Sequence, residues 1–407
     1  MKVIYFAQHF TTPQQGGGIR PYQMAKQLIA RGHQVTMVCG GNKELGLTKI
    51  KDDVERGNID GIDVVHIIVP YSNNMSLLKR TNSFIKYTKK SIGFALREEY
   101  DLLFATSTPL TSGLIGIAAK VLRHKPFIFE VRDLWPELPK ALGMKNPFFL
   151  FCMNVIEKMS YVCADGCIGL SPGICDGIRC RSKKNKQIEM VPNGCDLAIF
   201  KIGDRSNLNL EGVKTTDTVG VFTGAHGVAN GLDSILDAAA VLKRKGREDI
   251  KFVFIGDGRV KQTMVERAKN DGLTNCLFFH PVSKFKIAEI IANADFGLMC
   301  LKNVPAFYYG TSPNKFFDYI AAGLPVLNNY PGWLADMINE HKCGVAINPD
   351  DTEAFANATI QLADDADARK TMGINGRALA EKEFNRDILG ASFVTFIEKI
   401  YAGYYNK

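Results

Sequence analysis

The sequence has no run of about 18–20 apolar residues, so we do not expect a membrane-spanning helix. Its N-terminus lacks the shape of a signal peptide, because the apolar run Met1 to Phe6 is short and a polar, glycine-rich loop follows it. Ten cysteines are scattered along the sequence, and the close pairs Cys163/Cys167 and Cys175/Cys180 have no second Cys or His pair nearby. We therefore expect a cytoplasmic protein with reduced, mostly buried thiols and no metal.

Two common nucleotide-binding fingerprints are also missing. The loop Gly16-Gly17-Gly18 does not have the spacing of a P-loop, and Gly256-Asp257-Gly258 lacks the third glycine of a dinucleotide fingerprint. Three consecutive glycines before a helix still allow the backbone to approach a ligand closely. The alternative is an ordinary flexible loop.

What the sequence does contain is typical of two folded domains. A chain of 407 residues, 46% hydrophobic and 23% charged, is globular and too long for a single ordinary core. Short apolar runs alternate with segments of helical spacing in both halves, which predicts two doubly wound α/β domains with parallel sheets. We place the first domain at 1–200, the second at 201–385, and a last helix at 386–407. Ligands of such domains bind at the carboxyl ends of the strands, so we expect a cleft where the two sheets face each other.

Positive charge is concentrated in the first half. Residues 1–200 contain 26 basic and 17 acidic residues, whereas the second half is close to neutral. Within Met75 to Arg97 there is no acid, apolar residues are interleaved, and the basic residues include Lys79, Arg80, Lys86, Lys89 and Lys90. A basic amphipathic helix fits a surface of anionic lipids, but a solvated helix face has the same composition. No nucleic-acid-binding motif accompanies it, so we expect no nucleic-acid partner.

The segment Tyr309 to Pro325 combines a turn with the start of a helix. Gly310 to Asn314 is rich in turn-forming residues, and Lys315 to Ala322 has helical spacing. A loop that opens a helix presents free backbone N–H groups at a positive dipole end, and Lys315 adds a cation. Asp318, one turn later, is placed to accept hydrogen bonds from sugar hydroxyls. The alternative is an ordinary loop-helix-strand unit.

The densest cluster of functional groups lies at the end of another predicted strand. Glu130, Arg132, Asp133 and Glu137 surround one of the two tryptophans. Charges in such a place must pair with each other or meet a ligand. We favour a catalytic role for Glu130, Arg132 and Asp133, and the alternative is a structural Arg132 paired with one of the two acids. His9 and His226 end strands as well, and each is either a ligand contact or a loop histidine.

Taken together, these motifs resemble those of the family-four glycosyltransferases with the GT-B fold. The resemblance covers nearly the whole chain and is closest to a bacterial branch that transfers N-acetylfucosamine-like sugars in surface-polysaccharide synthesis. It rests on the order and spacing of the following motifs: Gly16–Gly18 with Arg20, Arg31–Val35, Arg132–Glu137, Val191–Asp196 with Phe200, Gly224–Gly227, Asn230–Leu232, Gly256–Gly258, and Ser312–Lys315 through Gly323–Val326.

The resemblance implies a retaining, metal-independent transfer from a nucleotide sugar bound mainly to the second domain. Asp318 matches the second acid of the family's Glu-(seven residues)-Glu motif, which holds the ribose, whereas Gly310 stands where the first acid is usual. Arg132-Asp133 replaces the usual His-Asp pair, and Asn230-Gly231 replaces a Lys-Gly phosphate site. These departures leave Lys315 and His226 as the nearest candidates for the diphosphate.

The predicted site residues follow from both arguments, and no cofactor is expected. The donor-binding candidates are Gly17, Gly18, Gly224, His226, Asn230, Gly256, Pro281, Val282, Gly310, Thr311, Ser312, Pro313, Asn314, Lys315 and Asp318. The resemblance implies a polyprenyl-diphosphate-linked acceptor, which favours the membrane interpretation of the basic stretch and a place at the cytoplasmic face of the inner membrane. Two alternatives remain: a non-hydrolysing UDP-sugar 2-epimerase with the same architecture, and an inactive membrane-associated scaffold.

Overall fold

A computed structural model of the chain describes residues 1–15, 18–41, 45–51, 53–71, 75–141, 143–204 and 207–406. The donor candidate Gly17 lies outside these ranges. The predicted fold class is confirmed: two domains are present, and each is a parallel or mostly parallel sheet with helices on both faces.

The first sheet has nine strands in the order β3-β4-β5-β2-β1-β6-β7-β8-β9. The strands are β1 Lys2–Phe6, β2 Gln34–Gly41, β3 Thr48–Lys51, β4 Val54–Ile59, β5 Ile62–Ile68, β6 Leu102–Thr106, β7 Phe127–Val131, β8 Gly166–Gly169 and β9 Gln187–Met190. The central strands β1, β6 and β7 are buried almost throughout, as expected for strands covered on both faces. Two of the described pairings are antiparallel, β3 with β4 and β4 with β5. The sequence analysis did not foresee the hairpin β3–β4, because β3 is polar and exposed.

Within the described part of the first half, six helices connect these strands. They are α1 Arg20–Ala30, α2 Leu77–Arg97, α3 Ser112–Arg123, α4 Glu137–Ala141, α5 Pro147–Cys163 and α6 Pro172–Arg181. Helix α2 contains the basic stretch, so its prediction as one helix is confirmed. Helix α3 packs between α2 and α5 on one face of the sheet.

The second sheet is fully parallel, with six strands in the order β12-β11-β10-β13-β14-β15. The strands are β10 Thr218–Thr223, β11 Ile250–Ile255, β12 Cys276–Phe279, β13 Phe296–Met299, β14 Val326–Asn328 and β15 Gly344–Ala346. Strand order reverses between β10 and β13, and in such sheets ligands bind beside that point, outside the carboxyl ends.

The helices of the second half include the predicted short helix after the turn-rich loop. They are α7 Asp233–Arg244, α8 Lys261–Asn270, α9 Lys284–Ala292, α10 Pro305–Tyr308, α11 Asn314–Ala321, α12 Trp333–His341, α13 Thr352–Asp364, α14 Ala366–Lys382 and α15 Arg386–Tyr405. The sequence analysis did not identify α10, α12 or β15. The side chain of Asp365 caps α14 by accepting a hydrogen bond from the Ala368 N–H, at 2.8 Å.

The last helix, α15, lies on the first domain. The Phe393 ring meets the Phe104 ring edge to face, with centroids 5.2 Å apart, and Gln27 on α1 donates to Asp387 at 3.0 Å. The chain therefore crosses between the domains twice. The two crossings touch, because the Cys195 N–H donates to the Phe384 carbonyl at 2.6 Å. They form the floor of the cleft.

All ten cysteines are free thiols, and seven are buried, as expected. Within the described ranges, three or more His, Cys, Asp or Glu side chains never gather closely enough to hold a metal ion. None of the described helices is both long and apolar enough to cross a bilayer.

Candidate functional site

A cavity of about 600 Å³ lies between the domains, at the carboxyl ends of β10 and β11 and the start of α11. Eight of the predicted donor-binding residues line it: Gly18, Gly224, Gly256, Pro281, Val282, Asn314, Lys315 and Asp318. Residues far apart in the sequence therefore meet in one place. Gly18 is the member of this group that comes from the first domain.

Glycines shape one wall of the cavity. Gly224 and Gly256 have φ values of 126° and 149°, which disfavour other residues. A Cβ atom on Gly256 would lie 1.9 Å from the Gly224 carbonyl oxygen. The two loops can pack this closely only without side chains, and their backbones therefore face the cavity directly.

Helix α11 begins at the cavity without a side-chain cap. Pro313 is the N-cap residue, and it has no side-chain group that can accept the first free N–H groups of the helix. These N–H groups and the helix dipole favour an anion at this end.

Lys315 sits in the first turn of α11 and has no acidic partner. Its Nζ donates to Asn230 Oδ1 at 3.2 Å and lies 4.0 Å from the centre of the Phe222 ring. No described carboxylate lies within salt-bridge distance. Burial lowers the pKa of Lys315 to about 8. A cation held by a neutral amide and an aromatic ring is well placed to bind an incoming anion. Asn230 thus takes part in the site by orienting Lys315.

Asp318 lines the same cavity, one turn further along α11. Burial raises its pKa to about 6, while the positive charges of Lys284 and Arg386 act to lower it. Lys284 and Arg386 also line the cavity, and Lys284 Nζ lies 4.0 Å from Asp196 Oδ2. The sequence analysis did not single out Lys284 or Arg386. Asp196 belongs to the motif Val191–Asp196 of the sequence analysis. That motif was the one feature of the sequence that pointed to this group of charges on the cleft floor.

The loop before α11 is mostly occupied by structural contacts. Thr311 Oγ1 donates to the Phe307 carbonyl at 3.0 Å, and the Thr311 carbonyl accepts from Trp333 Nε1 at 2.7 Å. Ser312 Oγ accepts from the Asn193 N–H at 3.1 Å, and the Ser312 carbonyl accepts from Asn193 Nδ2 at 2.6 Å. Thr311 and Ser312 are therefore better described as residues that fix the loop and join the domains than as donor contacts.

Gly310 does not line the main cavity, and there is a steric reason for a glycine at this position. A Cβ atom at this position would be 2.7 Å from the Ala306 carbonyl oxygen, so a side chain is disfavoured. Gly310 and Asp133 instead line a separate, small cavity of about 80 Å³ between the domains. The structure thus brings Asp133 opposite the position where the resemblance led us to expect an acid.

The predicted phosphate contact at His226 is wrong for this structure. The His226 ring is fully buried between Phe222 and Phe254, with ring centroids 5.9 and 6.2 Å away. Its two ring nitrogens have no hydrogen-bond partner among the described residues. Burial, followed by the positive charge of Lys261, lowers the pKa of His226 to about 4. The aromatic packing turns the ring away from the cavity, which is lined here by Gly224 and Ala225.

Glu130 is likewise structural, because both of its carboxylate oxygens are occupied. Arg20 donates to Oε1 from Nη2 at 2.8 Å and from Nε at 3.0 Å, and Thr106 Oγ1 donates to Oε2 at 2.6 Å. Arg20 also donates to the carbonyls of Val191 and Pro192, both at 2.8 Å. The ion pair that we considered for this cluster exists, but its base is Arg20 rather than Arg132. It fixes the chain just before the first crossing between the domains.

Asp133 remains available for chemistry. Thr108 Oγ1 lies 3.3 Å from Asp133 Oδ2, and burial raises the pKa of this carboxyl group while the charge of Arg132 opposes the rise. A carboxyl group with a raised pKa at the edge of a cleft suits proton transfer.

Arg132, Arg80 and His9 form a further group, which we call the basic cluster. The His9 ring lies 4.6 Å from the Tyr71 ring, and Arg80 Cζ lies 5.9 Å from the same ring centre. Burial and the charges of Arg132 and Arg80 lower the pKa of His9 to about 4. Neither arginine has a described carboxylate within salt-bridge distance, and Arg80 Nε and His9 Nε2 are buried with no partner in the described ranges. Two cations without an ion-pair partner among the described residues favour an anionic ligand, although Arg132 also lies within electrostatic reach of Asp133.

The other basic residues of α2 divide into two groups. Lys90 pairs with Asp53, and Lys86 Nζ lies 3.8 Å from the same carboxylate. Lys79 and Lys89 are exposed. The basic stretch is therefore not a uniform cationic face. Its member Arg80 lies in the basic cluster, on the side of the helix that faces the cleft.

Comparisons with known families agree with this architecture. Residues 207–379 match the family "Glycosyl transferases group 1", and residues 15–194 match the "Glycosyl transferase 4-like domain". The two matches together cover the second sheet and all strands of the first sheet except β1.

Individual relatives are distant but similar over most of their length. The N-acetyl-alpha-D-glucosaminyl L-malate synthase of Bacillus anthracis is 21% identical over 93% of this chain and 93% of its own length. The capsular polysaccharide biosynthesis glycosyltransferase CapM of Staphylococcus aureus is 22% identical over 80% of this chain and 83% of its own length. The structure of Anabaena Alr3699/HepE in complex with UDP-glucose covers 98% of this chain and 100% of its own, with a TM-score of 0.71 and 16% identity.

Proposed function

Because this chain belongs to the group 1 glycosyl transferases, with a GT-B fold, we propose that it transfers a sugar from a nucleotide sugar to a lipid-linked saccharide in the synthesis of a surface polysaccharide. One observation carries this proposal: the cavity between the domains holds Lys315 and the uncapped start of α11 beside Asp318. This combination suits a nucleoside diphosphate. CapM is named for capsular polysaccharide synthesis, which supports the kind of product.

The donor roles follow from the chemistry of each group. Lys315 and the first N–H groups of α11 bind the diphosphate, and Asp318, ionised above its pKa of about 6, accepts hydrogen bonds from the ribose hydroxyls. Gly224 and Gly256 allow the backbone to approach the phosphates. We propose a UDP-linked donor, since the Anabaena structure contains UDP-glucose. The resemblance in sequence motifs favours an N-acetylated amino or deoxyamino sugar, such as N-acetylfucosamine.

The transfer step needs no metal in this proposal. As the bond between the sugar and the diphosphate breaks, negative charge grows on the departing phosphate, and Lys315 and the helix start stabilise it. The acceptor hydroxyl attacks the same face of the sugar that the diphosphate leaves, so the anomeric configuration is retained. Its proton passes to the departing phosphate or to Asp133.

The basic cluster supports a diphosphate on the acceptor. Arg80 and Arg132 lie in the first domain at the edge of the cleft, and neither forms an ion pair with a described carboxylate. A polyprenyl-diphosphate carrier would supply the missing negative charge. In this arrangement the protein works at the cytoplasmic face of the inner membrane, as a peripheral protein.

A transfer assay tests the proposal. The purified protein is incubated with each of a set of UDP-sugars, with and without a polyprenyl-diphosphate-linked saccharide. Release of UDP should require the acceptor, and NMR coupling constants should show a retained anomeric configuration. Conversion of the UDP-sugar to an isomer without acceptor would instead identify an epimerase. Absence of binding to every nucleotide sugar would favour an inactive scaffold.

A further inference from the structure

Helix α5 presents a row of large apolar side chains on the outside of the first domain. Phe148 and Phe151 are 74% and 64% exposed, and Val155 and Met159 are also exposed. Their spacing of three or four residues places all four on one helix face. We call these four residues the α5 row. An apolar face of this kind on a helix is normally covered by another part of the protein.

The row is exposed because α5 extends beyond the sheet. None of its first ten residues, 147–156, is buried, whereas Glu157, Ser160 and Tyr161 are. Glu157 is level with the carboxyl edge of the sheet, since its Oε1 accepts from the N–H of Trp135, just after β7. At a rise of 1.5 Å per residue, the preceding ten residues reach about 15 Å past that edge. This is the same edge at which Asp133 lies.

The surroundings of the row are basic. In the sequence from Leu138 to Ala164, the exposed charged residues are Lys140, Lys145 and Lys158. The one acid of this stretch, Glu157, is buried and pairs with Arg181. An apolar helix face with lysines along its own segment, and with no exposed acid between Leu138 and Ala164, complements a bilayer with anionic headgroups.

Helix α2 lies on the same face of the sheet as α5, with α3 packed between them. Its exposed side chains include Leu78, Ile85, Lys79 and Lys89. Both α2 and α5 begin on the cleft side of the first domain, because each follows a loop at the carboxyl end of a strand.

We propose that the α5 row docks this protein on an anionic lipid surface, with the two phenyl rings entering the interfacial layer and the lysines of α2 and α5 meeting the headgroups. The earlier expectation placed this contact on α2 alone. The lipid surface would then lie beside Asp133 and the basic cluster, where a lipid-linked acceptor could reach the cleft. That last consequence rests on the proposed function, and the docking itself does not.

Vesicle binding of the full chain tests the proposal without any nucleotide sugar or acceptor. Co-sedimentation is measured with vesicles of phosphatidylethanolamine and phosphatidylglycerol at about 0.1 and about 0.5 M salt. The double variant Phe148→Ser/Phe151→Ser should bind at least about tenfold more weakly at both salt concentrations, because interfacial binding grows with the apolar area inserted. The variant Lys79→Glu/Lys89→Glu should lose affinity mainly at low salt.

A matched control changes two exposed apolar residues of the second domain, Phe285→Ser/Ile374→Ser, and should bind like the wild type. Thermal unfolding of all variants checks that the fold is intact. Equal binding of the Phe148/Phe151 variant and the wild type would overturn the proposal, as would failure of the wild type to bind the vesicles. A wild-type dimer that this variant converts to a monomer would also overturn it, because the row would then be a contact between copies. None of these results depends on whether sugar transfer occurs.

Discussion

Replacing Lys315 by methionine tests the donor site in most detail. The side chain keeps its length and apolar contact with Phe222 but loses its charge and its hydrogen bond to Asn230. A hydrogen bond to a charged group contributes about 1.5–3 kcal/mol, so the affinity for UDP should fall about ten- to a hundredfold. Isothermal titration calorimetry measures this directly.

The lowered pKa of Lys315 gives a second, sharper readout. In the free protein this pKa is about 8, so about half of the Lys315 side chains are neutral at pH 8. A bound diphosphate favours the charged form and raises the pKa. Binding at pH 8 should therefore take up about half a proton per UDP, seen as a dependence of the binding enthalpy on the ionisation enthalpy of the buffer.

The direction of the pH dependence follows from the same argument. The affinity of the wild type should fall as the pH rises above about 8, where Lys315 loses its proton, and should also fall below about 6, where Asp318 gains one. In Lys315→Met the proton uptake at pH 8 should disappear. The control Lys245→Met removes a lysine that pairs with Glu353 on the surface and should bind UDP like the wild type. Unchanged affinity or unchanged proton uptake in Lys315→Met would refute the donor-site assignment.

Three further predictions concern residues whose roles the structure separates. Asp133→Asn should lower kcat by about two to four orders of magnitude with UDP affinity unchanged, and near wild-type turnover in the transfer assay would remove Asp133 from the chemistry. Arg20→Met leaves Glu130 buried without its base and should lower the free energy of unfolding by about 3–5 kcal/mol in urea titrations; a loss below about 1 kcal/mol would contradict the structural role. His226→Leu should reduce the loss of stability between pH 7 and 5. In the wild type at pH 5 the histidine is protonated in the unfolded state, whereas the buried ring, with its pKa of about 4, stays neutral in the folded state. This difference lowers the free energy of unfolding by about 2 kcal/mol at pH 5. The same pH dependence of urea unfolding in both proteins would argue against a buried neutral His226.

Much of this architecture was predictable because local patterns determine it. The sequence pattern of an element predicts that element directly in three cases: the apolar run of β7, the helical spacing of α15, and the turn residues before α11. The hairpin β3–β4 and helix α12 were missed because a polar, exposed strand and a short helix carry little periodic signal.

The site was predictable only in part, because pairing across long sequence distances is not encoded locally. Lys315 and Asp318 were predicted as site residues because they follow a turn-rich loop at the start of a helix. The sequence contained no sign that Arg20, 110 residues away, pairs with Glu130, or that Phe222 and Phe254 enclose His226. The reason for a glycine at position 310 is the nearby carbonyl of Ala306, which only the structure shows.

A crystal structure of the protein with UDP tests the central claim most directly. We predict that the diphosphate lies within hydrogen-bond distance of Lys315 Nζ and the first N–H groups of α11, with the ribose hydroxyls on Asp318. Nucleotide bound away from this cavity, or a diphosphate that does not contact Lys315, would contradict the account.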